Sequence, residues 1–125
     1  MSLQPRPPLL LVENVDGATV VKVATADLGE PHIQAIREEL FGLAAGLARP
    51  RLMLDLGEVR FLTSTALGAF VALHKRVTGT GGRLVLANVG DAVYEVFDVS
   101  RLTQVLDVRR REPSGPGPRL APLAS

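Results

Sequence analysis

Cysteine and tryptophan are absent from the 125 residues of the chain. The absence of cysteine excludes disulfide bonds, thiolate metal ligands and a cysteine nucleophile. Only two histidines are present, and a structural or surface role is expected for each: His32 belongs to the first turn of a predicted helix, and His74 lies beside the apolar face of another. The sequence therefore predicts neither a metal site nor a cofactor site.

Aromatic residues are also scarce, and neither sign of charge dominates. The chain has four phenylalanines and Tyr94, and 14 basic residues nearly balance 13 acidic ones, which leaves a formal charge of +1. A nucleic-acid surface typically carries a basic stripe or interleaved aromatic side chains, so we expect no direct nucleic-acid partner. No apolar run approaches the roughly 18 residues of a membrane span, and prolines interrupt the N-terminal segment. We therefore expect a soluble cytoplasmic protein without a membrane partner.

The length suits one domain with its own core. We expect residues 1–8, which contain three prolines, to form an extended lead-in, and residues 9–108 to form the domain. Residues 109–125 begin with three arginines and continue with prolines and glycines, which predicts a flexible tail. We interpret the basic run as a solvated surface, with contact to an acidic partner as the alternative.

Short strands that alternate with amphipathic helices indicate an α/β fold. Residues 9–15 and 18–23 predict a hairpin around the Asp16-Gly17 turn. Pro31 suits the first position of a helix, because its missing N–H would be unpaired there. The apolar face of that helix is predicted to comprise Ile33, Ile36, Leu40, Leu43 and Leu47.

The second half of the chain predicts parallel strands joined by helices. Residues 51–56 form an apolar run that suits a strand covered on both faces, and further strands are expected at residues 83–87 and 105–108. Asp91 is placed to cap a short last helix. Residues 24–29, between the hairpin and the first helix, are expected to form a loop.

Strand gives way to helix within residues 61–68, where three hydroxyl residues, Thr63, Ser64 and Thr65, stand in a row. A hydroxyl at a helix start can accept hydrogen bonds from unpaired backbone N–H groups, so the residues alone favour Ser64 as a helix cap over a functional residue. The positive end of the helix dipole would also tolerate a phosphate on such a hydroxyl. The helix is predicted from the spacing of Leu67, Phe70, Val71, His74 and Val77.

Residues for catalysis are few. Ser64 lacks the flanking glycines of the hydrolase nucleophile elbow, although a Ser-His-acid triad is a spatial arrangement and stays open. The glycine-rich residues 79–82 precede a strand, whereas nucleotide loops precede a helix, so we interpret them as a helix stop and a turn. Asp55 is expected to bond backbone groups at the end of its strand. We expect no enzyme.

Three segments carry a resemblance to a known family: residues 54–56, residues 59–68 and residues 81–88. Together they resemble the STAS domains of anti-sigma-factor antagonists, over about residues 9–108. The central motif of that family reads Asp-Ser-Ser/Thr-Gly-Leu-Gly, and its first Ser corresponds to Ser64. Thr63 stands where the family has Asp, and Ala66 where it has Gly.

The resemblance implies a mixed sheet of about five strands, opened by the hairpin, with three to four helices mainly on one face. It further implies that a partner kinase phosphorylates Ser64. The partner would be an anti-sigma factor that is itself a serine kinase of the histidine-kinase ATPase type, and phosphorylation would switch off its binding and so regulate transcription. The implied partner-binding surface comprises Thr63, Ser64, Thr65, Ala66, Leu67 and Gly68.

Two alternatives to this regulatory role stay open. The first is a constitutive scaffold subunit of a signalling assembly, which the departures at Thr63 and Ala66 favour, and in which Ser64 is only a cap. The second is a small enzyme or ligand-binding domain that uses the same loop. Association into a homo-oligomer is compatible with any of these roles.

Overall fold

The computed structural model describes residues 9–30 and 32–111 of the chain. The predicted lead-in at residues 1–8, Pro31 and most of the predicted tail, residues 112–125, lie outside the described residues. In chain order the elements are β1 (Leu10–Val15), β2 (Ala18–Val23), β3 (Asp27–Leu28), α1 (His32–Ala45), β4 (Arg51–Asp55), β5 (Phe61–Leu62), α2 (Ser64–Gly79), β6 (Arg83–Val89), α3 (Asp91–Val99), a 3₁₀ turn (Leu102–Gln104) and β7 (Asp107–Arg110).

Five strands form the main sheet in the order β1-β2-β4-β6-β7. β1 and β2 pair antiparallel through a tight turn in which Asp16 and Gly17 both have positive φ, 50° and 83°. Such a turn matches the twist of a hairpin and needs residues that tolerate the left-handed region. The other three pairings are parallel. The predicted α/β fold with an N-terminal hairpin is confirmed.

The helices pack on one side of this sheet, which we call the helix side. Their buried residues form one apolar cluster with the strand residues that point the same way. The rings of Phe70 on α2 and Phe97 on α3 lie at the centre of this cluster, 6.2 Å apart. Strand residues of the cluster include Val21, Val23, Leu52, Leu54, Leu84 and Leu86.

The apolar faces of the first two helices differ from the predicted ones. On α1 the buried face ends with Ala44, while Leu47 follows the end of the helix and is 40% exposed. On α2 the fully covered residues include Ala66 and Leu73, whereas the predicted Leu67, Val71 and His74 lie at the margin of the buried face. On each helix the apolar residues form a stripe that is wider than one row of side chains. The packing of the helix on the sheet decides which residues of that stripe become fully buried, and the sequence spacing does not.

The opposite side of the sheet, which we call the open face, has no helix packed on it within the described part of the chain. The prediction that residues 51–56 are covered on both faces is therefore wrong. β4 alternates instead: Leu52 and Leu54 are buried on the helix side, while Arg51, Met53 and Asp55 point to the open face and stay partly or fully exposed.

Two segment boundaries also need correction. Residues 24–29, predicted as a loop, contain β3, which pairs parallel with β5 in a separate two-stranded sheet. The last strand was predicted at residues 105–108 but spans Asp107–Arg110, so the first two arginines of the predicted tail belong to the sheet. They are held there by β6 and by ion pairs from Arg109 to Asp107 and from Arg110 to Asp91.

Candidate functional site

The short strand β5 places the site just before α2. β5 has only two residues, and it is fixed by parallel pairing with β3 and by backbone hydrogen bonds from Arg60 and Phe61 to the carbonyl of Ala26. Leu62 packs against the core, whereas the ring of Phe61 points outward and is 67% exposed. The chain then enters the helix at Thr63.

Thr63, and not Ser64, is the N-cap of α2. Its backbone is extended, with φ −99° and ψ 167°, and its hydroxyl oxygen accepts a hydrogen bond from the N–H of Ala66 at 3.2 Å. The same hydroxyl donates to the carbonyl of Leu28 at 3.3 Å, which ties the helix start to β3. The prediction of Ser64 as the cap is therefore wrong, because Thr63 already fills that role.

Ser64 is the first residue of α2, and its side chain is exposed. Among the described residues, its hydroxyl makes no hydrogen bond within the protein. The backbone N–H groups of Ser64 and Thr65 likewise have no acceptor there, as is usual for the first turn of a helix. No acidic residue stands in that turn. The hydroxyl therefore lies, solvent-exposed, at the positive end of a helix whose first turn has no acidic residue.

The exposed residues that follow Ser64 at the start of α2 are small. Thr65 and Gly68 are exposed, and a Cβ atom built on Gly68 would meet nothing within 4 Å. The fold therefore does not require glycine at this helical position, although glycine costs about 0.5–1 kcal/mol there relative to alanine. Ala69, by contrast, is buried in the packing of α2 on the core.

The structure narrows the predicted partner-binding surface of residues 63–68. Thr63, Ser64, Thr65 and Gly68 are exposed at the start of α2, so four of the six residues share one accessible region. Ala66 is fully buried in the free chain, so its side chain is not part of this accessible region. Leu67 is partly buried against the core and presents only its edge.

Phe61 was not among the residues predicted to face a partner. The sequence signal was weak, because an aromatic residue in a short apolar run is usually buried, and a two-residue strand shows no alternation that could assign its faces. A phenylalanine this exposed, three residues before Ser64, extends the accessible region with an apolar group.

The start of α3 is built differently. Its N-cap is Gly90, which makes no side-chain capping bond, and Asp91 is the first helical residue. The predicted cap role of Asp91 is wrong, since its carboxylate instead accepts a hydrogen bond from Arg110 at 3.0 Å. This contact raises the pKa of the Arg110 guanidinium further. Arg110 also lies over the ring of Tyr94 at 5.1 Å.

Polar contacts brace the strand ends nearby. Asp55 accepts hydrogen bonds from the N–H of Gly57 at 2.9 Å and from the amide of Asn88 at 3.0 Å, so its predicted backbone role is confirmed. Arg111 donates to the carbonyl of Gly57 and to the side chain of Asn88. These contacts hold the loop after β4 against the end of β6.

The histidines do not join this region. His32 places Nδ1 3.2 Å from the carbonyl of Asp27, and Nδ1 of His74 is buried without a hydrogen-bond partner among the described residues. Neither hydrogen-bonds to Ser64, so the described part of the chain shows no Ser-His pair. In residues 9–30 and 32–111 no group of three or more metal-ligating side chains occurs, and no helix there is long and apolar enough to cross a membrane.

Comparison with known proteins gives consistent matches. The sequence matches the family model of the STAS domain over residues 10–114. It is 34% identical over 80 residues to an anti-sigma-B factor antagonist of Bacillus subtilis (strain 168), covering 64% of this chain and 72% of the relative.

Two solved structures share the fold. An anti-sigma-factor antagonist (STAS) domain protein from Planctomyces limnophilus superposes with a TM-score of 0.72 at 19% identity, covering 82% of this chain and 91% of that one. The anti-sigma factor antagonist SpoIIAA in its unphosphorylated form gives a TM-score of 0.67 at 19% identity, covering 79% and 86%. The family match and the Bacillus relative agree with this fold. The chain therefore belongs to the STAS domain family, as a relative of anti-sigma factor antagonists.

Proposed function

We propose that the chain is an anti-sigma factor antagonist whose binding is switched off by phosphorylation of Ser64. It acts in the cytoplasm as a regulator of transcription and not as an enzyme. Its partner is an anti-sigma factor that is also a serine kinase of the histidine-kinase ATPase type. The observation that supports this proposal best is the exposed Ser64 hydroxyl, which is left without a structural task because Thr63 caps α2.

In phosphorylation this chain contributes only the acceptor hydroxyl. In the transfer step, the Ser64 hydroxyl oxygen forms a bond to the γ-phosphorus of ATP, the bond between that phosphorus and the β,γ-bridging oxygen breaks, and ADP leaves. The hydroxyl proton passes to a base of the kinase. The chain supplies an accessible nucleophile on a rigid helix start, while the kinase supplies ATP and the catalytic groups.

The phosphorylated form should be stable on its own. A phosphate carries about −1.5 to −2 charges at neutral pH and three acceptor oxygens, and the first turn of α2 offers unpaired N–H groups and the positive end of the dipole. No carboxylate of that turn repels it, because the cap residue is Thr63 and not an acid. Phosphorylation therefore alters binding more than folding.

Binding should be sensitive to the same phosphate. The bare backbone at Gly68 lies one helical turn from Ser64, on the same side of α2, and allows a partner surface to approach closely. A doubly charged group in that contact must be desolvated or must hold the surfaces apart. The exposed ring of Phe61 supplies apolar contact area beside it.

A constitutive scaffold subunit remains the second candidate function. Two departures from the family motif favour it, at Thr63 and at Ala66, and the structure weakens the argument from Ala66. Ala66, which replaces a family glycine, lies fully inside the core, so this replacement concerns the packing of the chain itself and not the partner surface. Thr63, which replaces a family aspartate, still favours a scaffold, because a kinase that recognises the acid would lose that contact.

The first experiment is site-resolved phosphopeptide mapping of the protein recovered from its own cells under growth and stress conditions. We expect phosphate at Ser64 that changes with condition, and no phosphate at this site in a strain carrying Ser64→Ala. A Thr65→Ala strain is the matched control and should retain it. Full peptide coverage without phosphate at Ser64 in any condition would contradict the switch.

A binding experiment separates the two candidates. For a switch, Ser64→Asp weakens binding to the anti-sigma factor of the same organism by about a hundredfold, because an uncompensated charge in an interface costs several kcal/mol. Ser64→Ala should bind like the unmodified chain. Equal binding by the two variants would favour the scaffold.

A further inference from the structure

The open face of the sheet carries an apolar stripe that the helices do not cover. Its side chains come from alternate positions of β1, β2, β4 and β6. Two of them on the edge strand, Leu11 and Val15, are 48% and 42% exposed. Val85 is buried but belongs to this face and not to the helix-side cluster. The apolar positions of the face are Leu11, Val15, Ala18, Val20, Met53, Val85 and Ala87, and the exposed Glu13 lies between the first two on the edge strand.

One end of this stripe is basic. Near the starts of β4 and β6, the side chains of Arg51, Arg83 and Arg109 line a shallow depression together with Met53 and Val85. Asp107 accepts hydrogen bonds from Arg83 at 2.9 Å and from Arg109 at 3.1 Å, and these contacts, that of Arg109 foremost, lower its pKa. Three guanidinium groups against one carboxylate leave a surplus of two positive charges. Arg51 has no ion-pair partner among the described residues.

The other end of the stripe is acidic. At the ends of β2 and β4, the ammonium group of Lys22 lies 3.0 Å from a carboxylate oxygen of Glu58 and also near Asp55. Glu58 raises the pKa of Lys22, first through the hydrogen bond and then through its charge. Two carboxylates against one ammonium leave a surplus of one negative charge. Arg111 lies at this end too, but it lines the cleft beside α3 with Gly90 and Val93.

We propose that two copies of the chain pack through their open faces, related by a twofold axis that runs across the strands. This rotation places β4 of one copy over β4 of the other and reverses its direction. The central row of Val20, Met53 and Val85 then meets the same row of the second copy, at the roughly 10 Å spacing of packed sheets. Glu13 and Asp107 end this row on β1 and β7, so each faces its own counterpart at the rim of the interface, where Glu13 stays in contact with solvent and Asp107 is paired with Arg83 and Arg109.

Charge complementarity selects a second copy as the occupant. The same rotation brings Arg51 of each copy opposite Asp55 and Glu58 of the other, so the basic end of one face covers the acidic end of its mate. A twofold interface must be self-complementary in this way, and each ion pair occurs twice. Because α2 packs on the helix side, both Ser64 hydroxyls stay accessible in the dimer, which therefore goes beyond the proposed switch and does not depend on it.

The test is sedimentation velocity of the full chain at concentrations from about 1 μM to about 1 mM, a range that covers weak and moderate dimer dissociation constants. We expect a monomer–dimer equilibrium. Met53→Glu should abolish the dimer, since it buries two like charges at the centre, while circular dichroism shows a folded monomer. Val99→Glu, the matched change at a 74% exposed site on α3, should leave the dimer intact.

A charge-reversal cycle tests the orientation. Arg51→Glu alone and Glu58→Arg alone should each weaken the dimer by about tenfold or more, and the double variant should recover most of the loss, because the opposed charges are then exchanged. A full chain that is monomeric at every concentration overturns the proposal. The proposal is also overturned if the chain is monomeric because its own terminal segments cover the open face. A dimer that survives Met53→Glu would also overturn the proposal. So would weakened dimers in both single charge-reversal variants that the double variant does not restore.

Discussion

Helices α2 and α3 each begin directly after a strand, but their first turns are completed in opposite ways. At α3 a negative charge is already present, since Asp91 occupies the first position and Arg110 neutralises it. At α2 the cap is the neutral Thr63, the first turn has no acid, and the Ser64 hydroxyl makes no hydrogen bond to any of the described residues. The first turn of α3 thus carries a permanent negative charge, whereas the first turn of α2 carries none.

This difference indicates which of the two helix starts can carry a signal. A charge supplied by the sequence is constant, whereas a charge supplied by phosphorylation can be added and removed. The two helix starts also differ in the exposure of the preceding strand. The strand before α3 ends in the buried Val89, while the strand before α2 begins with the exposed Phe61. Four substitutions test this difference between the two helix starts.

The largest effect is expected from Phe61→Ala, measured as binding to the anti-sigma factor. Exposed aromatic side chains often anchor interfaces, so the loss should be about 1–2 kcal/mol, or about tenfold or more in affinity. The urea midpoint should hardly change, because the ring is 67% exposed in the free chain. Val99→Ala removes an equally exposed apolar side chain from the end of α3 and should leave binding unchanged. Equal losses in both variants would mean that the α2 start is not special.

Thr63→Ala tests the cap and should destabilise the chain by about 1 kcal/mol in urea denaturation. The substitution removes the acceptor for the Ala66 N–H and the donor to the Leu28 carbonyl. Ser64→Ala, which removes a hydroxyl without such contacts, should cost only a few tenths of that value. If Ser64→Ala proved the more costly variant, the assignment of the cap to Thr63 would be wrong.

The choice between these two hydroxyls marks where prediction from the sequence stops. Three consecutive hydroxyl residues predicted correctly that a helix starts here, because each of them is a good capping residue. Which one caps depends on β3 and on the carbonyl of Leu28, which stands 35 residues away from Thr63 in the sequence. Local propensity contains no information on that distant contact.

The sheet shows the same division between local and distant causes. The hairpin and the parallel strands were predictable from the Asp16-Gly17 turn and from the alternation of strands with helices. The open face was not predicted, although β4 alternates, because Met53 fills the one outward position between Arg51 and Asp55 and makes the run look continuously apolar. Whether a helix covers that face is decided by the whole topology.

Gly68→Ala is expected to stabilise the free chain by about 0.5–1 kcal/mol, since glycine is the poorer helix former and the new methyl group would meet no atom. The same variant should weaken binding to the anti-sigma factor, because the methyl group holds the partner away from α2. Gly42→Ala on α1 is the matched control: its Cβ also has open space, so it should stabilise similarly and leave binding unchanged. Tighter binding by Gly68→Ala would show that the partner does not approach here.

The smallest effect is expected from Asp91→Asn, which removes the permanent charge at the start of α3. The carboxylate is highly exposed and its pair with Arg110 is open to solvent, so salt screens most of the interaction. The urea midpoint should fall by less than for Thr63→Ala, and the difference from the unmodified chain should shrink further at high salt. Binding to the anti-sigma factor should not change. A loss of binding comparable to that of Phe61→Ala would place the start of α3 in the interface and erase the contrast between the two helices.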